Sequence, residues 1–253
     1  MLIVLPPSEG KSAPDTGPVL DVAGLSFPAL ETTRRTVLRA LRTLCAGDLD
    51  AAVTTLGLGP TQHGEVGANT RLAKEPCAPA IEVYTGVLYE ALDAASLSAA
   101  ARRRLDEQVA IASGLWGLVR PADLIPSYRL SGSVTLPGIG PLASVWRPDI
   151  CALLAATPDL LIDMRSGAYV ALGPVPESAS GRAVTIRVVN ERNGKRSVIS
   201  HNNKATKGRL VRTLVTSRRR PRDIPSLMDV LRSEGYEVEL SSPVRAEPAV
   251  LDV

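Results

Sequence analysis

The sequence predicts a mixed α+β fold. Two observations carry that expectation: amphipathic helical stretches and short buried-strand runs interleave along all 253 residues, and no strict βαβ rhythm or internal repeat orders them into a doubly wound sheet. This length suits one large domain or two small ones, and 45% hydrophobic residues are ample for a core. With aromatics at 3% and a single Phe, that core is filled mostly by Leu, Val, Ile and Ala.

LIVL at 2–5 reads as a short buried strand ended by Pro6-Pro7. Residues 30–47 place Val37, Leu38, Leu41 and Leu44 at helical spacing and stop at Gly47. Residues 60–80 are polar and Gly/Pro-containing, which predicts a loop with one helical turn. TGVLYEALDA and LSAAARRRLDEQVAIAS, the latter running from 97 to 113, read as two helices, with Ser98 capping the second. Pro148 opens a helix over 148–156. DLLIDM (159–164) and AVTIRVV (183–189) read as buried strands, and Asn193-Gly194 predicts a hairpin turn. ATKGRLVRTLVTS and IPSLMDVLRSEG are C-terminal helices, and YEVELSS is the final predicted strand.

Several classes are excluded by residue usage. Cys45, Cys77 and Cys151 are odd in number and widely spaced, which excludes a disulfide framework and matches no zinc or redox motif, so a reducing cytoplasm is expected. MLIVLPPSEGK has no basic residue before its short apolar run, and no later run reaches about 18 residues, so neither a signal peptide nor membrane association is expected. His63 and His201 lack ligand spacing, so no metal and no cofactor is expected.

Charge distribution is more telling than the net charge of +3: between Arg182 and Arg222, 13 Lys and Arg face one acid, Glu191. So one-sided a run is either a footprint for phosphates or a solvated basic face. SEGK at 8–11 follows a strand but lacks the GxxxxGK[ST] spacing of a phosphate loop, leaving Lys11 as an anion ligand or a solvated lysine. SGLWGLVRPADLIPSYRL, 113–130, holds Arg120, Asp123, Tyr128 and Arg129 in a turn-rich segment that either fixes a site or pairs Arg120 with Asp123 and turn backbone. Two stretches, LGLGP (56–60) and LPGIGPLA (136–143), look like DNA-binding hairpin loops; a helix C-cap explains the first as well, and the alternating YRLSGSVTL before the second favours a β-turn.

Taken together, LIVLPPSEGK, YTG at 84–86, the 113–130 block, IDMRSGAYVAL, NERNGKRSVISHNNKATKGRL and SEGYEVEL resemble the YaaA peroxide-stress protein family over nearly the whole chain. The resemblance implies one compact domain over 1–253 with an uncommon fold and a positively charged cleft. It also implies a cytoplasmic role in limiting iron-driven oxidative damage, and binding to duplex DNA. The matched polar residues are Lys11, Tyr84, Thr85, Arg120, Asp123, Tyr128, Arg129, Ser166, Tyr169, Lys204 and Lys207, with Gly208. The chain departs from the family pattern in three places: PPSEGK stands where SPAKT is usual, DMRSGAY lacks an acidic pair while adding Asp163 and Arg165, and His201-Asn202-Asn203 replaces aromatic or small residues.

Two functions compete. As a DNA-protection factor, Lys11, Arg120, Arg129, Lys204, Lys207 and Arg209 would neutralise phosphates of duplex or structured DNA without reading sequence, supported by Tyr84, Thr85 and Asp123. As an enzyme on a small anionic or nucleotide-like substrate, Asp163, Ser166, Tyr128 and Tyr169 would supply acid–base or nucleophilic groups among the same cations.

Overall fold

A seven-stranded sheet forms the centre of the computed structural model, which describes residues 1–192, 195–198, 202–241 and 247–253. Its strands are β1 (Leu2–Leu5), β2 (Val109–Ser113), β3 (Gly117–Val119), β4 (Leu161–Asp163), β5 (Ala183–Arg187), β6 (Glu239–Ser241) and β7 (Ala249–Asp252). Their order is β6-β7-β5-β4-β1-β2-β3. The five inner strands run parallel, with Ile3 opposite Val109, Leu2 opposite Leu161, Leu161 opposite Ala183 and Ala249 opposite Val184. The edge strands β3 and β6 are antiparallel to their neighbours.

The mixed helix and strand content thus matches expectation, but the sheet is more parallel than the chain's irregular rhythm indicated. The reason lies in β2. VAIAS continues the apolar pattern of the preceding helix, yet α6 (Ala99–Gln108) stops and Val109 turns extended at φ −106°, ψ 138°. Every residue of β2 is buried, so its run is continuous rather than alternating, and periodicity alone does not separate that from a buried helix. β7, a second parallel strand with Ala249, Leu251 and Asp252 buried, was not expected either.

The remaining helices are α1 (Glu31–Ala46), α2 (Leu49–Leu56), α3 (Gly64–Arg71), α4 (Ala80–Val83), α5 (Val87–Leu92), α7 (Leu142–Ala156), α8 (Gly167–Ala171), α9 (Glu177–Ser180), α10 (Asn202–Thr216) and α11 (Ile224–Ser233). Residues 60–80 hold more helix than the single turn expected: α3 itself, preceded by a 3₁₀ turn. α7 starts six residues before Pro148, which lies inside it and removes only the bond to the Ser144 carbonyl.

Both hairpin-like loops are punctuation. Gly57, left-handed at φ 63°, ends α2, with the Leu58 amide donating to the Val53 carbonyl. In LPGIGPLA, residues 135–136 pair with 140–141 around Gly138 at φ 82°, forming a tight β-turn with no helix before it. Strands 189–192 and 195–198 pair antiparallel; the Asn193-Gly194 turn predicted between them lies outside the described residues, as does His201.

Candidate functional site

β1 lies between β2 and β4, so the chain fills the sheet on one side of β1 and then crosses to the other. Ligands of open parallel sheets bind beyond the strand carboxyl ends at such a reversal. Here those ends carry Pro6–Lys11 after β1, Ser113 at the end of β2 and Met164–Ser166 after β4.

The loop after β1 is tied to the segment following α4. Lys11 bridges Tyr84, the Ser12 amide donates to the Val83 carbonyl at 2.8 Å, and the Thr85 amide donates to Ser8 Oγ at 3.0 Å. This places Lys11 Nζ 4.6 Å from the centre of the Tyr128 ring and 5.6 Å from that of Tyr84. The amine donates to the carbonyls of Ser8 at 3.0 Å and Glu9 at 3.4 Å. Burial draws its pKa down to about 8, Glu9 opposing and Arg129 reinforcing the shift.

Behind the lysine runs a hydroxyl chain. Ser113 Oγ lies 2.6 Å from Tyr128 Oη, which lies 2.8 Å from Tyr84 Oη. The serine oxygen already accepts from the amides of Leu115 and Trp116, so its own proton goes to Tyr128. Tyr128 then donates to Tyr84, whose proton is the one left to give. Burial pushes both phenols above their ordinary range, so they stay neutral donors. Four of the chain's five tyrosines collect here: Tyr89 stacks on Tyr84 at 5.6 Å, and the Tyr169 ring lies 3.1 Å from where a Cβ on Gly132 would stand.

Arg129 stands on the rim. Its Nη2 meets Glu9 Oε2 at 3.0 Å and its Nη1 donates to the Glu9 carbonyl at 3.2 Å. Asn69, fully buried, clasps its backbone from both sides. Lys204 is exposed and lines a cleft of about 230 Å³ with Ser8, Glu9, Gly10 and Thr85. Ser166 is exposed and precedes α8.

Other expected site residues are already engaged, at this edge or elsewhere. Asp163 gives both carboxylate oxygens to Arg165, at 2.9 and 2.8 Å, in a buried pair that leaves the acid no free oxygen pair for a substrate. Lys207 is buried and donates to the Met164 carbonyl at 2.9 Å, its pKa lowered by burial. Arg120 and Asp123 lie at the opposite end of the sheet. Arg120 Nη1 donates to the carbonyl of Val109, the first residue of β2, and its guanidinium covers the Phe27 ring at 4.8 Å. Asp123 accepts from the Arg120 amide and from Ser26 Oγ at 2.6 Å. Arg209 is exposed and donates to Thr206 Oγ1 at 3.4 Å.

The basic run disperses in the same way. Arg182 donates to the carbonyls of Ala155, Thr157 and Ser178, Arg187 pairs with Asp252 at 2.6 Å, and Arg212 holds the carbonyls of Leu92 and Asp93. Sequence reasoning missed Glu9, Asn69 and Ser113. Two were visible within quoted motifs, PPSEGK and SGLWG, while nothing local marked Asn69. Among the described residues, no group of three or more His, Cys, Asp or Glu side chains could hold a metal, and no helix is long and apolar enough to cross a membrane.

These features define a mostly parallel α/β protein with a lysine–tyrosine cluster at the carboxyl edge of its sheet. A family model described as "Peroxide stress protein YaaA" matches residues 1–241, and the chain belongs to that family. It is 46% identical to a UPF0246 protein of Streptomyces coelicolor, over 100% of this chain and 98% of that one. It is also 42% identical to a UPF0246 protein of Corynebacterium efficiens, over 95% and 96% of the two chains, and 40% identical to one of Corynebacterium glutamicum, over 94% and 95%.

Proposed function

We propose that this peroxide-stress family member is an enzyme acting on a small anionic, nucleotide-like substrate at the carboxyl edge of its sheet, with Lys11 as the central group. The observation that carries this reading is the Lys11 amine, held over the Tyr128 and Tyr84 rings at the end of β1 with Arg129 close by. An amine titrating at about 8 exists in both forms near physiological pH, so it can bind an anion or pass a proton. Tyr84, fed by the Ser113–Tyr128 chain, supplies a neutral donor, and Arg129 and Lys204 supply positive charge. Ser166 and Tyr169 flank the same edge. Asp163 serves as the partner of Arg165 in this reading, not as an acid or base.

Titration calorimetry with nucleotides and pyrophosphate tests it. Lys11→Met is expected to weaken binding by about 10- to 100-fold, the worth of one charge-assisted hydrogen bond. Unchanged affinity sinks the reading. In a strain lacking the protein, wild type is expected to restore peroxide tolerance and Lys11→Met to fail.

Duplex DNA binding is the second reading, favoured by Lys204 and Arg209 exposed on α10 and by Arg218, Arg219, Arg220 and Arg222 exposed beyond it. It requires affinity that falls on the order of 10³-fold between 50 and 200 mM salt for about six phosphate contacts. DNA affinity that ignores salt removes it. The free thiols of Cys45, Cys77 and Cys151 support a reducing, cytoplasmic setting for either function.

A further inference from the structure

Glu9 makes the least expected contact at this edge. Its side chain is 61% exposed, yet it meets an arginine that is only 18% exposed and whose backbone is fixed by Asn69. The carboxylate takes Arg129 Nη2, while the Glu9 carbonyl takes both Arg129 Nη1 and Lys11 Nζ. A single residue therefore contacts both cations nearest the tyrosine cluster, sharing Lys11 with the Ser8 carbonyl. Glu9 also lines two separate clefts. One, about 520 Å³, is rich in hydroxyls from Thr54, Thr55, Ser131, Ser133 and Thr135. The other, about 230 Å³, reaches Lys204 and Thr85.

We infer that the Glu9 carboxylate is an internal occupant of Arg129, standing where the carboxylate of a small-molecule ligand binds, and that its displacement joins the two clefts. The inference rests on the reading of this edge as a ligand pocket. The ligand class follows from the guanidinium, a planar fork of donors matched to two oxygens and filled here by a carboxylate and a carbonyl. Exchange is cheap because the acid is solvent-exposed and its pairing to arginine is correspondingly weak, whereas the guanidinium is already positioned. Glu9 sits in PPSEGK, the segment in which this chain departs from the SPAKT pattern. The occupant therefore belongs to this chain's own loop.

Calorimetry of the full chain with succinate, and separately with inorganic phosphate, tests the inference. Glu9→Ala is expected to bind succinate about tenfold more tightly than wild type, with Glu9→Gln between them, because the internal competitor is removed. Adding Arg129→Gln to Glu9→Ala is expected to abolish that gain. The inference is overturned if Glu9→Ala and wild type bind succinate equally or not at all, if the gain survives loss of Arg129, or if only phosphate shows it. Such a failure leaves the pocket standing as long as Lys11→Met still weakens nucleotide binding. Unchanged nucleotide binding in Lys11→Met, with the succinate gain intact, would remove the pocket's central lysine and keep the Glu9 exchange.

Discussion

The two ends of β2 hold similar residues in opposite states. At its amino end, Arg120, Asp123 and Phe27 form a knot, joined through Ser26 to Arg34, which runs along β3, and both cations are directed to backbone. Arg34 is fully buried and donates to the carbonyls of Leu25, Ser26, Trp116 and Leu118, while Arg120 holds Val109. At its carboxyl end, Arg129 and Lys204 line clefts beside the Lys11–tyrosine cluster, and one loop, Ser8–Glu9, meets both Lys11 and Arg129. Both ends draw on the 113–130 block, so a single motif supplies a structural clamp and a candidate site. A cation satisfied by fixed carbonyls stabilises the fold, and one satisfied by an exposed loop is available for exchange.

Removing the buried clamp gives the largest expected effect. Arg34→Met strands several buried carbonyls and is expected to cost about 3 kcal/mol or more in urea unfolding. A loss below 1 kcal/mol would erase the distinction between the two ends. Next comes Gly208→Ala, where α10 crosses α5: a Cβ there would stand 2.1 Å from the Leu88 carbonyl oxygen. The two helices must move apart, at about 1–3 kcal/mol, and Lys204 shifts with α10. An unchanged midpoint would show that the crossing is looser than the structure implies.

The effect at Lys11 itself is absent near neutrality and develops only as pH rises. Its pKa falls from 10.5 in the unfolded chain to about 8 in the fold, so between those values the unfolded chain binds more protons. Lys11's contribution to stability is therefore flat below pH 8 and rises with pH from about 8 to 10.5. Buried thiols and phenols with raised pKa values act in the opposite direction at high pH. The measurement is accordingly the difference between wild type and Lys11→Met at matched pH. That difference is expected to shift in favour of wild type as pH climbs; parallel curves would place Lys11 in water.

Much of the fold was legible. α1, α5, α10 and α11 follow their apolar spacing, and β1, β4 and β5 their short apolar runs. The helix cap in LGLGP and the turn in LPGIGPLA followed from glycine placement and the character of the preceding residues. Arg34 carried an overlooked signal: it lies three and four residues before Val37 and Leu38, on the apolar face of α1. The candidate site was legible as residue types but not as a place. Lys11, Tyr84, Tyr128 and Arg129 converge, whereas Arg120 and Asp123, from the same block, lie at the far end of the sheet.

What the sequence determined by itself was most of the longer helices, three of the buried strands, the mixed class and the family, because these rest on local periodicity, turn chemistry and residue order. The tertiary structure decided which cations remain available. Thirteen basic residues in one run suggested a charged face, but strand pairing and helix packing turned Arg182, Lys207 and Arg212 onto carbonyls and Arg187 onto Asp252. Charge is written in the sequence, but which charges are already neutralised depends on contacts between residues far apart along the chain.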